Sequence, residues 1–303
     1  MTSIDFIDSS FRNAVSAVVV IIFFVFLAPL VWAETDKTAL LEARLYPEIL
    51  YQGNAALVSV SCSSYIEAVY GEWRGKLLPF SREGRRLFQA ILGVDLNASP
   101  GAEVITLTTS NVQADGPPMI FRFSILKKDF PIQRISLPTK MVSLSKDDLA
   151  RVRREKKDLE RVWGTSSKQK QWKQKFIAPV TGDVISPFGV HRILNNEPRS
   201  PHTGVDFRAK TGSPVRASAD GIVALTCDHF FSGRSVFLDH GMGFFTMYFH
   251  LSEINVKEGQ KLSCGQVLGL VGQTGRATGP HLHWGARIGN SRVDPLSLLR
   301  LFH

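Results

Sequence analysis

The stretch Gly-Pro-His-Leu-His-Trp-Gly-Ala at 279–286 places His281 and His283 two residues apart in an otherwise apolar run. Side chains alternate across a β-strand, so on one strand the two imidazoles share a face. Two nitrogen bases side by side could hold a transition metal or move protons. A pair of half-exposed histidines at a sheet edge explains the same spacing without chemistry, and a short His-x-His also arises by chance. The remaining histidines help to decide. The chain has eight. His191, His229, His240 and His303 fall in turns, loops or the chain end and are expected at the surface. That leaves His202, His250, His281 and His283. His202 precedes Asp206 by four residues, but Pro201, Gly204 and Val205 point to a loop running into a strand rather than a helix. A neutral imidazole and a carboxylate suit Zn²⁺ at distances of about 2.0–2.2 Å. A third ligand could come from the His281–His283 strand, and three protein ligands leave the fourth position of a catalytic zinc to water.

Such a site needs elements to position it. From residue 177 onward, glycines punctuate short strands (GIVALTC, SVFLDHG, FFTMYFHL, GQVLGLVG, HLHWGARI), with no helical periodicity. Residues 177–303 are therefore expected to form a β-rich domain carrying all the chemistry. Residues 34–140 also read as short alternating strands. In AALVSVSC, Val58, Val60 and Cys62 face one way; in MIFRFSIL, Phe121, Phe123 and Ile125 do. This spacing predicts an immunoglobulin-like β-sandwich. It has no histidine, which points to a spacer or docking role. Between the two, residues 141–176 read as a basic connecting helix and linker. Ser145 and Asp148 form a capping-box pattern, Leu149, Val152, Leu159 and Val162 an apolar stripe, and Gly164 an end. Residues 165–176 read as a polar linker with few contacts.

The formal charge is +9 over 303 residues, concentrated in that connector: 11 Lys/Arg against 5 Asp/Glu in residues 141–176, compared with 12 against 9 in 177–303 and 12 against 11 in 34–140. A basic surface spread over the whole chain is absent, which excludes a nucleic-acid binder. The connector is either a solvated helix face or a contact for an anionic envelope polymer or membrane surface. Residues 1–33 carry only Asp5, Asp8 and Arg12 as charges, and Ala14–Trp32 is almost wholly apolar. Small residues at Val31 and Ala33 fit a signal peptide; 19 apolar residues also suffice for an uncleaved anchor. Either way the rest of the chain is expected outside the cytoplasm. Of the three cysteines, Cys227 and Cys264 could bridge, but buried free thiols are the expectation.

Beyond single motifs, residues 186–298 resemble the catalytic domain of lysostaphin-like, LytM-type zinc metallopeptidases. The resemblance rests on an ordered set: Ser-Pro-Phe-Gly at 186–189, His202 to Asp206, Gly212 to Val215, Asp239-His240-Gly241, Tyr248 to Leu251, Gly272 to Gly275 and Gly279 to His283. It implies a compact antiparallel β-fold of the duplicated hybrid motif type, one Zn²⁺ held by His202, Asp206 and His283, and His250 and His281 as an unligated catalytic pair. It further implies hydrolysis of peptidoglycan peptide cross-links by a metal-activated water; the apolar export segment and the lack of a recognisable wall-binding repeat fit a periplasmic setting. Tyr248, two residues from His250, either lines the groove or packs in the core. Family members that have lost ligands activate other wall hydrolases instead; that alternative weakens here because all five residues are present.

Overall fold

In the computed structural model the described residues are 41–110, 118–135, 144–173, 175–198 and 200–301. The signal or anchor segment at 1–33 and His303 lie outside them. The architecture is mainly β, as expected, with helices only at Lys146–Gly164 and Pro295–Leu298 among the described residues. No helix there is long and apolar enough to cross a membrane.

The amino-terminal strands make two sheets around one core. The first runs in the order Leu41–Tyr46, Ala55–Cys62, Leu87–Gly93, Ser81–Arg82, and the second Leu50–Tyr51, Met119–Leu126, Gly101–Thr109, Val69–Trp73, Lys76–Pro79. Alternation places the core-forming side chains: Val58, Val60 and Cys62 are buried while Ser61 is exposed, and Ile125 is buried between exposed neighbours. Val58, Val60, Phe88 and Leu92 from one sheet meet Val69, Ile105, Leu107 and Ile125 from the other.

The carboxy-terminal half is built on a ten-stranded antiparallel sheet. Its main path runs Val184–Ser186, Gly204–Arg208, His281–Ile288, Phe244–Ile254, Gly233–Gly241, Gly221–His229, Lys261–Leu262. The strand Gly204–Arg208 lies against His281–Ile288 with Asp206 opposite His283 and Arg208 opposite His281. On the other side of His281–Ile288, Phe249 faces His283. Asp206 and His283, 77 residues apart in the chain, thereby stand at one register position. Beneath them Tyr248, Leu251, Leu282 and Trp284 form a fully buried core.

The helix Lys146–Gly164 starts as its sequence demands. Ser145 Oγ accepts from the Asp148 amide at 3.0 Å, and the Asp148 carboxylate accepts from the Ser145 amide at 3.2 Å. Only its carboxy-terminal end docks fully: Val162 is buried against Leu225, Phe237, Phe245 and Met247, whereas Leu149 at the other end is exposed.

The segment after the helix differs from the expected polar linker. Ser166 Oγ and the Ser167 amide both donate to Asp239, at 2.8 and 2.7 Å, and the Gln171 amide donates to the His240 carbonyl at 2.8 Å. Trp172 and Phe176 are buried in a core that takes Ala55, Leu57 and Ile91 from the amino-terminal sheets and Phe244 and Ile288 from the carboxy-terminal one. Two aromatics among lysines and glutamines show no period, so their burial depends on partners far away in sequence. The boundary is further tied by Ala55 amide to Ser297 Oγ at 3.0 Å, Arg292 amide to Asp95 at 2.9 Å, and Asp294 amide to the Gly53 carbonyl at 2.7 Å. Cys62, Cys227 and Cys264 are free thiols, and burial pushes the Cys227 thiol up to about 12.

Candidate metal centre

His202 sits in the loop entering the strand Gly204–Arg208, held by backbone bonds in both directions with Gly189 and Val190. Its Nδ1 lies 2.8 Å from the Pro187 carbonyl oxygen. A carbonyl only accepts, so Nδ1 donates and Nε2 carries a lone pair. That Nε2 is 3.0 Å from Asp206 Oδ1 and 3.0 Å from His283 Nδ1, and the last two atoms are 2.9 Å apart. The three residues form a group able to hold a metal ion. Three acceptor atoms thus face one point with at most one proton to share among them. His202 and Asp206 are buried, so water cannot easily satisfy them. A divalent cation with imidazole and carboxylate preferences fits that donor set. Burial would raise the Asp206 carboxyl, but the imidazoles of His202 and His283 against it hold it well below the usual carboxylate range, and burial pushes His283 down. Both remain in the deprotonated forms that ligate.

The surroundings are shaped to match. Gly204 leaves no room for a side chain: a Cβ there would meet His283 Nε2 and the Trp284 carbonyl, each at 2.5 Å. The ring of Phe249 stacks on His283, centroids 5.2 Å apart and planes within 7°. Arg192 Nη2 lies 3.5 Å from Asp206 Oδ2.

His250 and His281 stand beside this cluster, with ring centroids 4.7 Å apart. His281 Nε2 is 3.8 Å from Asp206 Oδ1. Each ring directs Nδ1 at a backbone carbonyl, Thr274 for His250 at 2.9 Å and Gly279 for His281 at 2.8 Å. In the neutral ring this leaves Nε2 as the proton acceptor. Burial pushes His250 down to about 4, against the pull of the Thr274 carbonyl, so it is neutral at pH 7. All five residues border a groove of about 660 Å³, whose walls include Val152, Glu155 and Leu159 of the connecting helix.

Three expectations need correction. His240 is not a surface turn residue: it is fully buried at the end of a strand, donating through Nδ1 to the Asp220 carbonyl at 2.7 Å and accepting from Thr246 Oγ1 at 2.8 Å. His229 is also buried, ends the strand Gly221–His229 and reaches Asp158 of the helix at 3.7 Å. His191 begins a strand instead of lying in a turn, with its ring beside Phe130. Of the two places left open for Tyr248 it takes the core, with its hydroxyl bonded to Ser218 and Thr246, and Phe249 lines the groove. The sequence also gave no notice of Phe249 or Arg192, since an aromatic in a strand and an arginine in a loop are common. Ser186, 3.3 Å from His202 Nδ1, lay within the Ser-Pro-Phe-Gly stretch but carried no role there.

Comparison with known proteins bears on this geometry. Residues 200–295 match peptidase family M23. The chain is 52% identical over 85 residues to the peptidoglycan DD-endopeptidase ShyA of Vibrio cholerae and 44% identical over 117 residues to the DD-carboxypeptidase/endopeptidase Mpg of Neisseria meningitidis. These matches cover 28% and 38% of this chain but only 20% and 26% of those longer proteins. A Pseudomonas aeruginosa structure assigned to peptidase M23 matches more widely, with 33% identity, a TM-score of 0.65, 83% of this chain and 96% of that one. A match at this identity, over most of this chain and nearly the whole of that relative, means that the chain belongs to peptidase family M23.

Proposed function

We propose that the chain is a zinc-dependent endopeptidase that hydrolyses peptide cross-links of peptidoglycan. The observation that carries this reading is the convergence of His202, Asp206 and His283 on one point, with His250 and His281 beside it in an open groove. His202 Nε2, Asp206 Oδ1 and His283 Nδ1 would hold the ion. Bound there, Zn²⁺ supplies Lewis acidity toward an amide carbonyl and acidifies water. The side chains do the rest. The carbonyls of Thr274 and Gly279 fix both catalytic rings with Nε2 free, so one ring takes the proton of the attacking water. The other stabilises the developing oxyanion or protonates the leaving amine. The names of the two curated relatives support a D,D-bond as the target. The intact donor set speaks against a silent activator of other hydrolases.

The two amino-terminal sheets we read as an immunoglobulin-like unit, and the carboxy-terminal fold as the duplicated hybrid motif type. The apolar segment Ala14–Trp32 supports export to the periplasm, as a signal peptide or an uncleaved anchor. Purified sacculi with D-residue cross-links and with glycine bridges, digested separately and analysed by mass spectrometry, test the substrate. Release of fragments cut at D-residue cross-links, lost on chelation and restored by zinc, is the expected result. No cleavage of either wall by zinc-loaded protein defeats the reading.

A further inference from the structure

Two of the three converging side chains share one neighbour. Arg192 Nη2 lies 3.5 Å from Asp206 Oδ2, the oxygen that does not face the imidazoles, and donates to Ser186 Oγ at 3.2 Å. Ser186 Oγ is in turn 3.3 Å from His202 Nδ1. The strand that carries Arg192, His191–Leu194, lies outside the ten-stranded sheet. It pairs in parallel with Ile132–Ile135, the chain leaving the amino-terminal sheets, with Gln133 opposite Arg192. The His191 amide donates to the Pro131 carbonyl at 2.8 Å. The Phe130 ring packs edge-on against Phe188 and His191 and occupies the space beside Gly189, where a Cβ would overlap it. The loop that supports His202 and Asp206 is therefore gripped by residues outside the residue range that matches family M23.

We propose that Arg192 is a positioning residue for the metal site, orienting Asp206 directly and His202 through Ser186, and that residues 130–135 of the amino-terminal half hold Arg192 in place. The inference rests on the reading of His202, Asp206 and His283 as ligands. Two effects of the guanidinium oppose each other. Its charge repels a cation, so on electrostatics alone its removal should tighten metal binding. Its ion pair with Asp206 Oδ2 keeps Oδ1 turned toward the imidazoles, so on orientation its removal should weaken binding. The Arg192 side chain is 36% exposed and Asp206 10%, so solvent screens the repulsion more than it disturbs the carboxylate. Orientation should dominate, and losing an outer partner of a ligand costs about 10–100-fold in metal affinity.

The test is the zinc dissociation constant of the full chain, by competition with a chromophoric chelator, for wild type, Arg192→Gln, Arg192→Lys and Phe130→Ala. Melting temperatures of the metal-free proteins are measured beside it. Arg192→Gln is expected to bind about 10–100-fold more weakly with an unchanged metal-free melting temperature, and Arg192→Lys to recover part of the loss. Phe130→Ala, which touches none of the three ligands, is expected to weaken binding too. Equal or tighter zinc binding by Arg192→Gln overturns the positioning role. Wild-type affinity in Phe130→Ala overturns the link to the amino-terminal half. A wild-type chain that binds no zinc defeats the functional reading itself and is distinguishable from both.

Discussion

Phe249 and His250 are adjacent in sequence, yet both border the groove, because His250 adopts φ +63° and breaks the alternation of its strand. Such a backbone is uncommon for a side chain with a Cβ and persists where neighbours enforce it. The five residues proposed for the site should fail in two ways. His283→Ala removes one of three proposed ligands and should lose metal and turnover together. His250→Ala and His281→Ala should retain about one zinc per chain while losing roughly 10²–10⁴ in rate, the usual worth of a positioned acid or base. Asn tolerates a positive φ, so His250→Asn separates lost chemistry from lost backbone geometry. Metal content by mass spectrometry beside muropeptide turnover reads the contrast; zinc lost from His281→Ala and kept by His283→Ala would invert the assignment. Away from the groove, buried His240 provides a pH test. Burial lowers it to about 4 from an ordinary 6.5, so between those values the unfolded chain binds more protons than the folded one. Its contribution is intact above pH 6.5 and is lost as pH falls toward 4, by at most about 3 kcal/mol. Denaturant titrations across that window should show a shallower loss for His240→Gln than for wild type; parallel curves would remove His240 as the cause.

At the scale of elements, the helix Lys146–Gly164 does two jobs. Its capping box fixes the start, and Ser145→Ala should cost about 1 kcal/mol of stability. Its inner face supplies Val152, Glu155 and Leu159 to the groove, with Glu155 accepting from the Phe230 amide at 3.0 Å. Exposed lysines follow on the helix and just past its end, Lys156 among them at the groove. Lys156, Lys157 and Lys168 are exposed, whereas Lys170 is committed to Glu83 at 2.7 Å and to the face of Trp172. Neutralising the first three should therefore weaken sedimentation with sacculi or anionic vesicles at low salt. The difference should fade near ~0.15 M, where exposed charges are screened beyond about 8 Å. Unchanged binding would leave a solvated face as the whole account.

Across the whole molecule, the segment 165–176 joins the two β-units into a shared core. Trp172 and Phe176 are at most 5% exposed. Trp172→Ala, far from the groove residues, should cost about 3–5 kcal/mol by leaving a cavity at the boundary. A fragment of residues 177–303 would expose Phe244 and Ile288 and lose the strand partner of His191–Leu194. It should melt at a lower temperature than the full chain and show reduced turnover; equal stability would mean that the boundary contributes little.

How much of this was legible beforehand depended on the range of the interactions involved. Local order was readable from the chain: the Ser145–Asp148 cap, the buried alternation of Val58, Val60 and Cys62, and the grouping of His202, Asp206, His250, His281 and His283 by motif. Those signals act over a few residues, or are carried by an ordered set of short stretches. The sequence could not show that His240 is buried, or that Phe249 and not Tyr248 joins His250 at the groove, because one positive φ at His250 resets the strand face. Nor could it show that a lysine-rich connector buries two aromatics, or that Arg192 reaches Asp206 from a strand paired with the other half. Those outcomes rest on register and packing between segments tens of residues or more apart, where burial is decided by which surfaces meet and not by the composition of either.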